Sequence, residues 1–197
     1  MLPLILTNHT AARFLNTCYF IWLVPEIIHT FSHQIGASSR ANGNYSNLVV
    51  RLCLGSSILL ANWLIRVETW ATITWYPTLI FGLGVALIVS GVVFRWYAIR
   101  VLGKYFSVQL GVQPDQTVMK DGPYRWVRHP SYTGSLITML GFGLAFTNWF
   151  CLVSVPLIVF MGYVYRANVE ERMLVAALGD SYREYMRDTK RFIPFVY

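Results

Sequence analysis

Charge is what this sequence has least of. Only 13% of its 197 residues are Asp, Glu, Lys or Arg, against 55% hydrophobic. A soluble globular chain carries about 25% charged residues, so the shortage excludes an ordinary water-facing surface, and the apolar excess excludes a disordered chain. Cysteine is nearly as scarce. Cys18, Cys53 and Cys151 stand far apart in apolar stretches, which excludes a disulfide framework or a cysteine zinc site and reads as buried thiols. A glycine-rich phosphate loop is missing too. Gly82-x-Gly84 and Gly141-x-Gly143 lack the third glycine and sit inside apolar runs, which excludes a soluble dinucleotide-binding fingerprint. There is no internal repeat and no low-complexity linker. Residues 1–12 lack the basic start and small-residue cleavage site of a secretory signal. The length suits a single domain, residues 1–197.

What is present is a series of charge-poor segments at residues 14–31, 48–67, 69–94 and 130–165. The third holds no charge over 26 residues and the fourth none over 36. One membrane span needs about 20 residues, so the fourth is too long for one and just enough for two short arms. Thr147-Asn148, the polar pair near its middle, marks the turn. Each arm would measure roughly 25 Å at about 1.5 Å per residue. The expected fold is all-α: a polytopic integral membrane protein of about five spanning helices, the last two a hairpin. A connecting segment and a C-terminal helix complete it. Residues 14–94 supply the first spans, and residues 95–197 the connecting segment, the hairpin and the tail.

The basic residues set the orientation. The net charge is +7, but the charges fall between apolar runs, which argues for topogenic charge and against a nucleic-acid surface. Residues 95–128 hold six Arg and Lys, and residues 166–197 hold six more. A hairpin between them puts both on one side, cytoplasmic by the positive-inside rule. Many aromatics, among them Trp70, Trp75, Tyr76, Trp96, Tyr97 and Trp149, fall near expected helix ends, as interfacial belts do. Arg125-Trp126-x-Arg128 lies at the same surface and reads as a headgroup contact.

The two polar segments flanking the hairpin could wall a site that takes a polar cofactor from water and an apolar substrate from lipid. In the first, Asp121-Gly122-Pro123 is a turn. Pro130 suits the first turn of a helix, which places His129 at a helix start, where an anion is favoured. A helix cap is the plainer reading of that histidine. In the second, Arg166 and Glu170 are four residues apart and share a helical face; a surface ion pair is the plainer reading. Apolar positions continue the helix towards Arg187, with Gly179 as a break. Glu26, His29 and His33 share a face of the first helix. One helix alone does not build a carboxylate–histidine metal site, so no metal is expected, though an acid inside a span is costly and carries a functional flag. Pro25 beside it would kink that helix.

Taken in order, the motifs are Gly122-x-Tyr124-x-x-x-Arg128-His129-Pro130-x-Tyr132-x-Gly134, the hairpin, Arg166-x-x-x-Glu170-Glu171-x-x-Leu174, Gly179-x-x-Tyr182-x-x-Tyr185 and Arg191-x-x-Pro194. This series resembles the isoprenylcysteine carboxyl methyltransferase family of membrane enzymes, over roughly the half of the chain from residue 102 onward. The wider superfamily includes phospholipid N-methyltransferases and, in its C-terminal region, membrane sterol reductases. The resemblance implies an S-adenosylmethionine-dependent methyltransferase without a Rossmann domain. It implies that Gln109, His129, Pro130, Ser131, Tyr132 and Glu170 bind the cofactor. Arg166 would serve as the catalytic, substrate-facing residue that orients a carboxylate. The implied partners are a lipid-like or prenylated substrate and membrane lipids, with no nucleic acid. The implied location is the cytoplasmic face of a plasma, inner or endoplasmic reticulum membrane. Three other readings stay open: a phospholipid N-methyltransferase, an NADPH-dependent sterol or isoprenoid reductase, and a non-catalytic subunit that keeps the fold. An amine acceptor would need a base to take its proton, and no unambiguous base is present, which favours a carboxylate.

Overall fold

The computed structural model describes residues 2–32, 41–105 and 117–194. Within them a short helix α1 (Leu4–Thr7) precedes five long helices: α2 (His9–Ser32), α3 (Ala41–Val67), α4 (Pro77–Leu102), α5 (Pro130–Ala145) and α6 (Trp149–Leu178). A last helix, α7 (Asp180–Asp188), follows. The all-α expectation holds among the described residues. Three stretches, Tyr45–Val67, Pro77–Leu102 and Trp149–Leu178, are long and apolar enough to cross a membrane.

Their outward faces are those of lipid-exposed helices. Leu52, Leu59 and Trp63 on α3, Leu79 and Leu83 on α4, and Val153, Leu157 and Met161 on α6 are all exposed. These spacings of four and seven keep each stripe on one helical face. The core lies behind them, where Leu54, Ile58, Ala61 and Ile65 of α3 meet Val155 and Val159 of α6 and Met139 and Phe142 of α5. Tyr19 of α2 meets Phe142 edge-on at 5.8 Å.

The hairpin turn falls where Thr147-Asn148 predicts it. Asn148 is the N-cap of α6, its side-chain oxygen accepting from the N–H groups of Phe150 and Cys151, so the polar pair satisfies backbone groups that a bare helix start leaves orphaned. Its amide also donates to the Glu68 carbonyl at 3.0 Å. That contact accounts for a difference from the expected third span. The charge-free run begins at Thr69, yet α4 begins only at Pro77. Residues 69–76 instead lie over the hairpin turn, with Ile73 N–H donating to Thr147 O at 2.8 Å. Pro77 fits a first helical position because its missing N–H is not needed there. At its other end α4 runs on to Leu102, past Arg95 and Arg100. In the tail, Arg166 lies inside α6, and the helix breaks at Gly179, where φ is +60°, before α7 carries it on to Asp188. The N-terminal helix α2 runs through Pro25.

The hairpin arm α5 is held against α4 by a seam of glycines seven residues apart, Gly84 and Gly91 against Gly134 and Gly141. A Cβ on Gly91 would lie 2.6 Å from Gly134 O, and one on Gly141 would lie 2.6 Å from Gly84 O. Backbone therefore touches backbone, as small residues permit in membrane helices. Gly84 and Gly141, which failed as phosphate-loop glycines, serve this packing. Gly141→Leu is expected to force the seam apart at a cost of about 1–3 kcal/mol or more, seen as a lower thermal midpoint in detergent. Gly55→Ala, with nothing within 4 Å of its added Cβ, should leave the midpoint near that of the unaltered protein.

Candidate active site

The seam and the hairpin bring both polar segments to one end of the bundle, opposite the hairpin turn. The link is main-chain pairing. Val127 bridges to Lys190 in parallel register, Arg128 N–H donates to Lys190 O at 2.8 Å, and His129 N–H donates to Arg191 O at 3.1 Å. Thr133 Oγ1 donates to Phe192 O at 2.7 Å, so the chain beyond α7 is fastened across the start of α5. Tyr185 secures α7 from below, its hydroxyl donating to Tyr124 O at 2.6 Å. Burial raises the pKa of the Tyr185 phenol, which makes this contact as a neutral donor.

Pro130 opens α5 and His129 precedes it, but the histidine side chain does not cap the helix. Its ring turns towards α6 instead, with Nε2 3.2 Å from Glu171 Oε1 and Nδ1 3.7 Å from Glu170 Oε2. Two carboxylates of the protein itself thus flank the histidine ring. His129 stacks on Tyr132 at 5.2 Å with planes 2° apart, and Tyr132 stacks on Tyr163 at 4.6 Å. The three rings form one column along α5 and α6.

Tyr132 is the electrostatic hinge of the site. Its hydroxyl accepts from Arg166 Nε at 2.7 Å and donates to Glu170 Oε2 at 2.7 Å. Arg166 is 5% exposed, so it is no surface arginine. Its Nη1 also donates to Ser46 Oγ at 3.3 Å and to Asn47 Oδ1, both on α3. Glu170 is half-buried, with 30% of its side chain open. Glu171, the next residue, is 4% open and sits among cations. It accepts from Arg128 Nε at 2.8 Å and from Arg191 Nη2 and Nε at 2.7 and 3.1 Å, in addition to the contact with His129.

The residues expected from the sequence are therefore partly assembled. His129, Tyr132, Arg166 and Glu170 meet. Ser131 lies at the same place through its backbone, its carbonyl accepting from buried Arg95 Nη1 at 3.1 Å. Pro130 contributes the helix start. Gln109 lies outside the described residues, as do His33 and the side chains of Glu26 and His29. The sequence reading did not place Glu171, Arg128 and Arg191 in the site, although each stands in a motif. Two adjacent acids straight after a long uncharged run were the available signal. Ser46 and Asn47 gave none, since a polar pair at the mouth of an apolar helix is ordinary.

A family model described as the isoprenylcysteine carboxyl methyltransferase (ICMT) family matches residues 84–176. The stretch takes in the glycine seam, the histidine–tyrosine stack and both glutamates. Protein-S-isoprenylcysteine O-methyltransferase of Tribolium castaneum is 31% identical over 117 residues, covering 58% of this chain and 42% of that protein. The Homo sapiens protein of the same name is 30% identical over 130 residues, covering 65% and 43%. A solved structure of the eukaryotic intramembrane Ras methyltransferase ICMT superposes with a TM-score of 0.61 at 27% identity, over 72% of this chain and 52% of that one.

Over residues 84–176 the chain is similar to the isoprenylcysteine carboxyl methyltransferase family.

It spans about two fifths of the length of the two curated relatives. Tyr132 is the residue whose hydroxyl joins the two charged sides of the site, and its removal tests that link. Tyr132→Phe retains both ring stacks but removes the hydroxyl shared by Arg166 and Glu170. Any methyl-transfer turnover should fall about ten- to a hundredfold, the worth of a hydrogen bond to a charged group, with thermal stability lowered far less than by Tyr132→Ala.

Proposed function

We propose that this chain transfers a methyl group from S-adenosylmethionine to the carboxylate of a lipid-like, isoprenylcysteine-type substrate at the cytoplasmic membrane face. The observation that carries this reading is the meeting of Arg166, the His129–Tyr132 stack and half-open Glu170 at the end of the bundle where the Arg- and Lys-rich segments gather. An arginine able to hold a carboxylate and a carboxylate suited to a cationic ligand stand on opposite sides of one tyrosine hydroxyl. The likeness to the family over residues 84–176 and the relatives' names support the same reading.

The donor set fits the cofactor. Glu170 offers a negative, partly open carboxylate beside aromatic faces, the surroundings that favour a sulfonium. Bound there, S-adenosylmethionine supplies an electrophilic methyl group on a positively charged sulfur. Everything else falls to the chain. A substrate carboxylate is already ionised at neutral pH, so no general base is required. What is required is alignment and exclusion of water. Arg166, fixed by Tyr132, Ser46 and Asn47, orients the carboxylate rather than activating it, since too tight an ion pair would blunt the nucleophile. Tyr132 holds Glu170 through its hydroxyl, and His129, stacked on Tyr132, keeps the column of rings upright. The apolar flanks of α3 and α6 let a prenyl chain approach from the bilayer.

The test is a labelled-methyl transfer assay on the detergent-solubilised chain, offering an S-farnesylcysteine acid and phosphatidylethanolamine in parallel, with calorimetric titration of S-adenosylhomocysteine and NADPH. Label in the ester and binding of S-adenosylhomocysteine are expected. Label in the phospholipid would move the assignment to N-methylation, and binding of NADPH alone would overturn it in favour of a reductase.

A further inference from the structure

The N-terminal half carries no motif, and the match to the family model begins only at residue 84. Yet the most buried charge of the site is held from that half. Ser46 is fully buried and Asn47 is 7% exposed, and both accept from Nη1 of Arg166, about 120 residues away in sequence. Their burial is part of the packing of α3. Ser46, Asn47, Val50, Leu54, Ser57, Ile58, Ala61 and Ile65 follow one another along a single buried face, and Gly162 of α6 lies against Val50 and Cys53. Burying a cation is costly unless it is paired and hydrogen-bonded, and Ser46 and Asn47 add to the bond that Arg166 makes with Tyr132.

We propose that Asn47, seconded by Ser46, is a positioning residue for the acceptor carboxylate, acting through Arg166. The inference rests on the functional reading above and assigns part of its acceptor recognition to the first half of the chain. Tyr132 fixes Arg166 at Nε and Asn47 fixes it at Nη1, so the two contacts together determine the plane of the guanidinium. A planar fork pairs well with a carboxylate only when its plane is set. The cofactor side of the site, built on Glu170 and His129, does not touch α3 through these bonds. Asn47 should therefore govern the acceptor and leave the cofactor alone.

The experiment compares Asn47→Ala, Asn47→Asp and Ser46→Ala with the unaltered chain, measuring KM and kcat on S-farnesylcysteine acid and the affinity for S-adenosylhomocysteine. Asn47→Ala should raise KM about tenfold, the scale of a hydrogen bond to a charged group, with S-adenosylhomocysteine affinity unchanged. Asn47→Asp should raise it further, because a fixed carboxylate then competes with the substrate for Arg166. Ser46→Ala should have the smallest effect of the three. Unchanged KM in both Asn47 variants would overturn the inference, and so would a parallel loss of S-adenosylhomocysteine binding, which marks a merely structural role. If the unaltered chain itself transfers no methyl group, the functional reading fails; if it does and the Asn47 variants match it, this inference fails alone.

Discussion

Replacing Arg166 with alanine is expected to lower methyl transfer to a prenylated cysteine acid by about a hundred- to a thousandfold, the range for removing one well-placed donor from a reacting oxygen. The expectation follows from position as well as charge. Arg166 lies deep in α6, held at Nε by Tyr132 and at Nη1 by Ser46 and Asn47, so its orientation is set before any substrate arrives. Arg166→Lys should recover little, because an ammonium group keeps the charge but cannot make the planar fork or reach all three partners. The alanine variant also leaves those buried partners without their donor, at about 1–3 kcal/mol. Activity should therefore be measured well below its thermal midpoint, with S-adenosylhomocysteine binding as the sign of an intact fold. Turnover like that of the unaltered chain would remove Arg166 from the reaction altogether.

The sequence exposed those parts of the molecule that depend on local pattern. The long apolar runs give the helices because backbone groups in lipid must be satisfied within the segment. Thr147-Asn148 gives the turn because a polar pair in such a run has few other uses. Arg166 and Glu170 could be placed on one face by spacing alone. What depended on distant partners stayed hidden. The start of α4 at Pro77 is not legible in the charge-free run, which says nothing of the hydrogen bonds between residues 68–73 and Thr147 and Asn148. His129 looked like a helix cap or an anion site, and only the return of α6 brings two glutamates to its ring. The strap of residues 189–192 pairs with residues 126–129 across α7, and no periodicity in either segment announces it.

Glu170 and Glu171 are neighbours in sequence, and the structure gives them opposite tasks, which yields the second large effect. Glu171 is 4% open and joins Arg128, His129 and Arg191, the start of α5 and the strap, through one carboxylate. Glu171→Gln keeps its shape and removes its charge, leaving two arginines facing a neutral amide in a nearly closed pocket. Breaking a buried ion pair from one side costs about 3–5 kcal/mol. For a chain of this size each kcal/mol is worth about 2–4 °C, so the midpoint should fall by roughly 10 °C. Glu170 is 30% open, and a partly open carboxylate contributes less to stability than a closed-in one. Glu170→Gln should therefore leave the midpoint within a few degrees of the unaltered chain, yet lose S-adenosylhomocysteine binding and methyl transfer. Strap and site share His129, so Glu171→Gln should also weaken S-adenosylhomocysteine, but by less than Glu170→Gln does. The comparison is made by thermal unfolding and calorimetric titration of both variants in the same detergent. Equal midpoints for the two, or a larger drop for Glu170→Gln, would mean that the strap is not what keeps this end of the bundle closed.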